Sequence, residues 1–249
     1  MKPVGQFTRG TTGSNRLRRF DRWTEHLCAR QLRRGQPLCV DLGFGSSPTT
    51  TVEWQRSLRA LNPRVRVVGV EIDPERVRLA APTIEAIHGG FEIPTDDRPL
   101  VIRAANVLRQ YDRSDVNAAW TVMQQRLATG GWLIDGTCDE QGRLTAMLSL
   151  DASAARWFTL SVRLAGLQRP SQVAARLPKA LIHNNYEGSP IHALLTDLDR
   201  AWERGARWGA RQRWIEMAAV VKDRWEVRDG PGRWRLGEIT VPARAVLDP

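Results

Sequence analysis

The sequence has few of the residues that build disulfides, metal centres and membrane spans. Its 249 residues include three cysteines and four histidines. Cys28, Cys39 and Cys138 are far apart, so neither a disulfide framework nor a metal-binding spacing is present. No apolar run approaches the roughly 20 residues that cross a bilayer, and the amino-terminal residues lack the apolar stretch of a secretory signal. We therefore expect a cytoplasmic protein without a membrane span or a metal.

Acidic residues are scarce in two segments where arginine is abundant. The formal net charge is +10. Residues 1–34 carry nine Lys/Arg against two Asp/Glu, and residues 200–235 carry ten against five. Such flanks attract an acidic partner, which leaves a phosphorylated or acidic small molecule, a nucleic acid and an anionic membrane surface open. Solvated helix faces rich in arginine are the alternative that needs no partner.

One stretch, residues 38–51, organises the chain. Leu38, Cys39, Val40 and Leu42 form a short apolar run that predicts a buried strand of a parallel sheet. Two glycines, at 43 and 45, then permit a sharp turn that a ligand can approach closely, and the Ser/Pro/Thr run after them is typical of a helix start. A plain strand-to-helix turn is the alternative to a ligand-binding turn.

A second apolar run, residues 66–72, predicts the next strand of the sheet. It carries Glu71 near its end, where an acidic side chain is placed to accept hydrogen bonds from ribose hydroxyls. Asp73, directly before Pro74, is better placed to cap the following helix. The dinucleotide-binding fingerprint requires a third glycine, and Pro48 stands at that position.

The pattern Asp41-Leu-Gly43-Phe-Gly45, followed by Val-Glu71-Ile-Asp, resembles the class I S-adenosylmethionine-dependent methyltransferases over roughly residues 36–164. The family often has a third glycine where this chain has Ser47. The resemblance implies S-adenosyl-L-methionine as the cofactor, with the turn around its methionine part and Glu71 at its ribose. For its adenine the candidates are Glu92, which is preferred, Asp96 and Asp97. The implied cofactor-binding residues are Asp41, Gly43, Gly45, Ser46, Glu71, Ile72, Glu92 and Asn106.

The resemblance also implies an α/β fold: a Rossmann-like, seven-stranded, mostly parallel sheet that ends in an antiparallel hairpin. We predict an arm and basic helix over 1–35, a cofactor-binding domain over 36–165, a helical segment over 166–228 and a loose tail over 229–249. Between the second and fourth strands we predict a helix from 74 to about 87 and a short third strand at 91–93. The hairpin is predicted at 144–150 and 157–164.

Substrate-binding and catalytic residues are harder to predict. Arg103 ends the predicted fourth strand and is a candidate for substrate binding, with a strand-end salt bridge as the alternative. Lys179 is a second candidate, in a polar loop region. Asp139, Glu140 and His183 are candidates for the general base, although a turn with solvated acids explains the acidic pair as well.

These patterns together predict a methyltransferase that acts on a small or acidic acceptor. The Asn-Pro-Pro-aromatic motif of amino-group DNA methyltransferases is absent from the sequence, which argues against that chemistry. An RNA methyltransferase, an aminopropyl transferase on the same fold and a non-catalytic nucleic-acid-binding protein remain alternatives. The sequence leaves the oligomeric state open.

Overall fold

The computed structural model describes residues 2–7, 10 and 12–247 and shows one eight-stranded sheet. The strands are β1 (Leu38–Leu42), β2 (Arg66–Glu71), β3 (Glu85–His88), β4 (Val101–Ala105), β5 (Trp132–Cys138), β6 (Leu144–Leu150), β7 (Ala155–Val162) and β8 (Glu238–Pro242). Their spatial order is β3-β2-β1-β4-β5-β6-β7-β8. The first five are parallel to one another, and β6, β7 and β8 continue the sheet in antiparallel pairs. The predicted α/β, Rossmann-like fold class is confirmed, with one strand more than expected.

Helices cover both faces of this sheet. They are α1 (Arg18–Leu32), α2 (Thr49–Leu61), α3 (Pro74–Ala80), α4 (Val116–Arg126), α5 (Lys179–Ile182), α6 (Pro190–Arg204), α7 (Ala210–Val221) and α8 (Pro231–Trp234). Side chains of a strand alternate between faces. Leu38, Val40 and Leu42 therefore join the core that includes α4, α6 and α7, while Cys39 joins the core under α1 and α2. None of the helices within residues 12–247 is long and apolar enough to cross a membrane.

The chain reverses its direction of progress across the sheet at β1. From β1 it builds β2 and β3 on one side, then crosses to the other side to build β4 and β5. In an open parallel sheet the carboxyl ends of the two strands that flank such a reversal leave a crevice, and ligands bind there. The turn after β1 and the residues after β4 are therefore the expected position of a ligand-binding site.

The region between β2 and β4 differs from the prediction. α3 ends at Ala80, and β3 occupies Glu85–His88, where the sequence predicted the end of a helix. The predicted third strand at 91–93 is instead a turn, with Ile93 at a positive φ of 44°. The short β3 is exposed at both ends and has apolar residues only at its two middle positions, so its apolar signal was weaker than that of Phe91 and Ile93.

The last segment, predicted to be a loose tail, contributes the eighth strand. Residues of β8 are buried, and Thr240 lies opposite Thr159 of β7, with their hydroxyl oxygens 3.0 Å apart. The short helix α8 precedes it, and Val246 after it is fully buried in the core of the sheet. The glycines and prolines of this region make the turns on either side of a strand rather than an unstructured end.

Candidate functional site

The turn between β1 and α2 provides the backbone of the candidate site. Gly43 and Gly45 both adopt positive φ angles, 67° and 80°, in the left-handed region where a residue with a Cβ is strained. A Cβ on Gly43 would lie 2.8 Å from Cγ2 of Val107, and a Cβ on Gly45 would lie 2.9 Å from the carbonyl oxygen of Gly10. The two glycines are therefore needed both for the turn and for close approach by other groups.

Glu71, at the end of β2, is tied directly to this turn. Its Oε2 accepts a hydrogen bond from the Gly45 N–H at 2.9 Å, and its Oε1 accepts from Ile72 N–H at 3.0 Å and Asp73 N–H at 3.2 Å. The carboxylate is buried, and the Arg76 guanidinium lies 3.7 Å away. A carboxylate has about four acceptor positions, so three backbone donors leave Glu71 with room for one further donor.

Asn106 closes the site on the β4 side. It adopts a left-handed conformation with φ 62°, which is uncommon outside glycine and often marks a functional position. Its Oδ1 accepts from the Cys138 N–H at 2.9 Å, and its own N–H donates to the Gly136 carbonyl at 2.7 Å. Asn106 thus joins the ends of β4 and β5 next to the glycine turn.

Two small cavities lie directly beside the glycine turn and Glu71. The first, about 40 Å³, is lined by Asp41, Gly43, Gly45 and Asn106, together with Gly10, Thr12 and Arg16. The second, about 20 Å³, is lined by Gly43, Glu71 and Ile72, together with Val4, Gln6 and Tyr111. The structure therefore brings the predicted cofactor-binding residues to one edge, but as two small spaces rather than one cleft.

The amino-terminal arm, by which we mean residues 2–7 and 10, covers this edge. Glu92 holds it, because Oε2 accepts a hydrogen bond from the Val4 N–H at 2.7 Å while Oε1 accepts from Gly90 N–H at 2.8 Å. Ser46 also holds it, since its N–H and hydroxyl both donate to the Gly10 carbonyl, at 2.9 and 2.6 Å. Glu92 and Ser46, both predicted to bind a cofactor, thus bind the arm in this structure.

Sequence analysis did not single out two aromatic residues, Phe91 and Tyr111, as part of the site at this edge. The rings of Phe91 and Tyr111 lie 5.1 Å apart, and Gly5 of the arm packs between them and Ile72. Burial raises the pKa of the Tyr111 hydroxyl above its usual range. The glycine at position 5 was the available signal, because a glycine often allows backbone to approach a side chain closely.

The Asp41 side chain belongs to a buried ion-pair cluster. The Arg103 guanidinium donates to both Asp41 oxygens, at 2.9 and 2.6 Å, and is also paired with Asp21. Thr51 donates to Asp41 Oδ2 at 2.7 Å, and the Arg103 guanidinium lies 4.3 Å from the Trp54 ring centre. Although burial opposes the charged form, the two carboxylates outweigh it and raise the pKa of Arg103.

This cluster corrects the expected role of Arg103. Strand alternation places Arg103 on the face that carries α1 and α2, where it is completely buried, rather than at the open edge. The salt bridge that was the alternative for Arg103 is what the structure shows. Asp21 of α1, which the sequence did not single out, is the second partner.

The candidates for catalysis and substrate binding lie outside both cavities. Asp139 Oδ1 accepts from the N–H groups of Arg143 and Leu144, at 2.6 and 3.1 Å, and so shapes the turn between β5 and β6. Glu140 is exposed and pairs with Arg176 at 3.2 Å. Lys179 begins α5, and His183 follows that helix on the surface. Their roles in catalysis or substrate binding remain predictions. Among residues 2–7, 10 and 12–247, no group of three His, Cys, Asp or Glu could hold a metal ion.

Comparison with known proteins gives structural likeness alone. No protein-family model matches the chain, and no curated protein matches it. Among solved structures, the sugar N-methyltransferase KedS8 from Streptoalloteichus sp ATCC 53650 is similar at 14% identity and a TM-score of 0.35, over 63% of this chain and 80% of that one. Human N-acetylserotonin methyltransferase, in complex with SAM, matches at 20% identity and a TM-score of 0.36, over 49% of this chain and 35% of that one.

The plantazolicin methyltransferase BpumL, in complex with SAH, matches at 12% identity and a TM-score of 0.39, over 49% of this chain and 47% of that one. The chain thus spans less than half the length of two of these three structures. All three are methyltransferases, the class that the glycine turn and Glu71 resemble in sequence. Because every TM-score is below 0.5 and every identity below 25%, the function has to be inferred from the site itself.

Proposed function

We propose that the protein is an S-adenosylmethionine-dependent methyltransferase whose acceptor is a small or acidic molecule. One observation carries the proposal: the turn of Gly43 and Gly45 after β1 lies against the Glu71 carboxylate at the end of β2, with Glu71 Oε2 2.9 Å from the Gly45 nitrogen. This arrangement stands beside the point where the chain reverses across the sheet, where ligands of open α/β sheets bind.

The residues of the site fit such a cofactor. The two glycines leave space that a Cβ would fill, and the turn precedes α2, whose first N–H groups favour an anionic group. Glu71 has one acceptor position left for a hydroxyl. Ile72 and Phe91 offer apolar surface for a flat ring. We infer that Glu71 would hold the ribose and that the Gly43–Gly45 turn would hold the methionine part.

The arm has to move before this cofactor binds. Ligand pockets for molecules of this size occupy at least about 300 Å³, whereas the cavities beside the glycine turn and Glu71 measure about 40 and 20 Å³. Val4, Gly5 and Gln6 lie over Glu71, Ile72 and Phe91, where the nucleoside part would lie. Removing the arm from these residues would join the second cavity to solvent without moving any strand.

Methyl transfer requires the protein mainly to position the acceptor beside the cofactor. When bound, the cofactor supplies an electrophilic methyl group. The chain's own residues would orient the acceptor in line with it and exclude water, which is a large part of such a rate enhancement. Arg103 takes no part in this step, since it lies buried under α1 and α2. Asp139, Glu140 and His183 remain the proposed candidates for a general base.

Calorimetric titration with S-adenosylmethionine and with its demethylated product tests the proposal. We expect both to bind, and we expect Glu71→Gln to weaken both at least about tenfold, because a charged acceptor with a hydroxyl contributes about 1.5–3 kcal/mol. Glu75→Gln is the matched control, since Glu75 is an exposed acid on α3 whose partner is Arg78. No binding of either compound, or equal loss in both variants, would refute the cofactor assignment.

A further inference from the structure

The same edge of the sheet carries a groove rich in arginine, beyond the candidate cofactor site. A cavity of about 310 Å³ is lined by Arg18, Arg19 and Arg22 of α1, by Arg143 before β6 and by Arg163 after β7. We call these five residues the arginine groove. An adjoining cavity of about 570 Å³ shares Arg19 and Arg22 and adds Arg211 and Arg235. Among the described residues, no acidic side chain lines either cavity.

The arginine groove is held in place mainly by neutral groups. Arg19 donates through Nε to the Gly142 carbonyl at 3.1 Å and through Nη1 to the Leu236 carbonyl at 3.3 Å. Arg22 also donates to the Leu236 carbonyl, at 3.1 Å, and is paired with the buried Glu238, which Arg233 shares. Within residues 12–247, Arg22 is the one member of the groove that forms an ion pair, and the other four arginines form none.

Arg143 and Arg163 lie close enough for their positive charges to repel each other. Leu144 and Val162 are partners in the β6–β7 ladder, and the Arg163 N–H donates to the Arg143 carbonyl at 2.7 Å, so the two arginines face each other across the hairpin. Like charges directly opposite on antiparallel strands are destabilising. Burial, followed by the charge of Arg22, lowers the pKa of Arg19 to about 10. The groove therefore concentrates repulsion that an anion would relieve.

The groove adjoins the proposed cofactor site. Arg16 lines the cavity beside the glycine turn, and its neighbour Asn15 lines the arginine groove. The Arg16 carbonyl packs against Gly142, where a Cβ would be only 2.0 Å away. A molecule anchored in the groove would therefore need to extend past residues 15 and 16 to reach the turn.

We propose that the arginine groove binds the phosphate group of a small phosphorylated methyl acceptor. Guanidinium groups bind phosphate oxygens in pairs through a planar fork, and the volumes of the two cavities are those of small-molecule sites. The large aromatic side chains exposed in the described chain, Phe7, Tyr186 and Trp208, line neither cavity. The groove thus lacks the stacking surface that single-stranded nucleic acids use. The role of the bound molecule as a methyl acceptor rests on the proposed function, whereas the phosphate site itself does not.

Titration of the full chain with inorganic pyrophosphate, without cofactor, tests the site. We expect saturable binding that weakens at least about tenfold in Arg143→Gln/Arg163→Gln, because charge-assisted hydrogen bonds are lost. Arg30→Gln/Arg33→Gln is the matched control: it removes the same charge from exposed residues near the far end of α1, and we expect a loss below about twofold. Absent binding, or equal loss in both variants, would overturn the proposal.

Two further measurements separate the alternatives. A single strand of about twelve uridines tests the nucleic-acid source: tighter binding than pyrophosphate, lost in the Arg143/Arg163 variant, would overturn the small-molecule assignment. Titration of the wild-type chain with S-adenosylmethionine separates this proposal from the proposed function. In the wild-type chain, cofactor binding without pyrophosphate binding would overturn this inference alone, whereas pyrophosphate binding in the groove without cofactor binding would overturn the methyltransferase assignment alone.

Discussion

The Tyr111 hydroxyl accepts a hydrogen bond from the backbone N–H of Gln6 at 2.6 Å, and it lies 3.2 Å from the carbonyl oxygen of the same residue. This side chain, which follows β4, therefore holds the arm over the end of β2. The same arm residues line the cavity beside Glu71. Under the proposed function, cofactor binding and arm docking would compete for one surface, and the strength of arm docking should set the apparent affinity for the cofactor.

We predict that Tyr111→Phe strengthens the binding of S-adenosylmethionine by up to about tenfold, since it removes a hydrogen bond that contributes about 0.5–1.5 kcal/mol to the docked arm. A variant that lacks residues 1–10 and keeps Tyr111 should bind more tightly still. Calorimetry measures both. Tyr186→Phe is the control, because Tyr186 is the other tyrosine and is exposed. Unchanged or weaker cofactor binding by the shortened chain would contradict competition.

The buried cluster of Arg103, Asp41 and Asp21 should be essential for folding rather than for substrate recognition. Arg103→Met leaves two buried carboxylates without their counter-ion, and we predict a loss of about 3–5 kcal/mol in the free energy of unfolding. Arg66→Met on β2 is the control, because Arg66 and its partner Glu85 are largely exposed and such pairs contribute at most about 1 kcal/mol. Urea unfolding of both variants checks the difference, and similar losses would contradict it.

The sequence predicted the parallel half of the sheet well, except for β3. β1, β2 and β4 are mostly apolar, because a strand buried on both faces needs apolar residues at most positions. β8 escaped prediction because its residues 238–242 lie between segments rich in glycine and proline, and its partner β7 is about 80 residues earlier in the chain. Local patterns do not record which distant strand a segment will pair with.

The candidate site was predictable only as far as backbone geometry dictates it. Gly43, Gly45 and Glu71 occupy positions that any strand-turn-helix unit with a ligand would use, so their spacing is visible in the sequence. The positions of Arg103 and of the arm depend on tertiary packing. The sequence around Arg103 is equally compatible with a residue at the open edge of the sheet. The glycines at 5 and 10 are typical of a flexible segment, but in the structure they make close contacts with Tyr111 and Ser46.

The turn glycine at 45 should be less tolerant of a side chain than a glycine of similar φ elsewhere. Gly45 and Gly130 both adopt left-handed angles, 80° and 73°, but a Cβ on Gly130 would meet nothing within 4 Å. Gly130→Ala should cost about 1–2 kcal/mol of conformational strain. Gly45→Ala should cost about 1–3 kcal/mol more, through overpacking against Gly10.

Chemical denaturation of the full chain and of the chain without residues 1–10 tests the source of the added cost. Removing Gly10 removes the group that the new methyl would touch, so the two alanine variants should become equally stable in the shortened protein. If Gly45→Ala remained less stable than Gly130→Ala in the shortened protein, the additional loss of stability would arise within the turn itself. That result would also contradict close arm packing as the reason for the glycine.

The stability of the protein should depend on pH through Asp135 of β5. Burial raises the pKa of this carboxyl to about 7, and the indole N–H of Trp120, which donates to Oδ2 at 2.9 Å, only partly opposes the rise. In the unfolded chain the pKa returns to about 3.9. Because the folded state holds this proton to higher pH than the unfolded state, the contribution of Asp135 to stability falls as the pH rises from about 4 to 7.

Asp135→Asn should remove this dependence and keep an acceptor for the Trp120 N–H. We predict that the variant matches the wild type near pH 4 and gains about 2–4 kcal/mol over it at pH 8, where the wild type must hold a buried charge. Urea unfolding at both pH values measures the gain. Asp96→Asn, at an exposed position, should follow the wild type at both. If the profile of Asp135→Asn also ran parallel to the wild type, Asp135 would be ionised at little cost in the folded protein, and burial would not control its pKa.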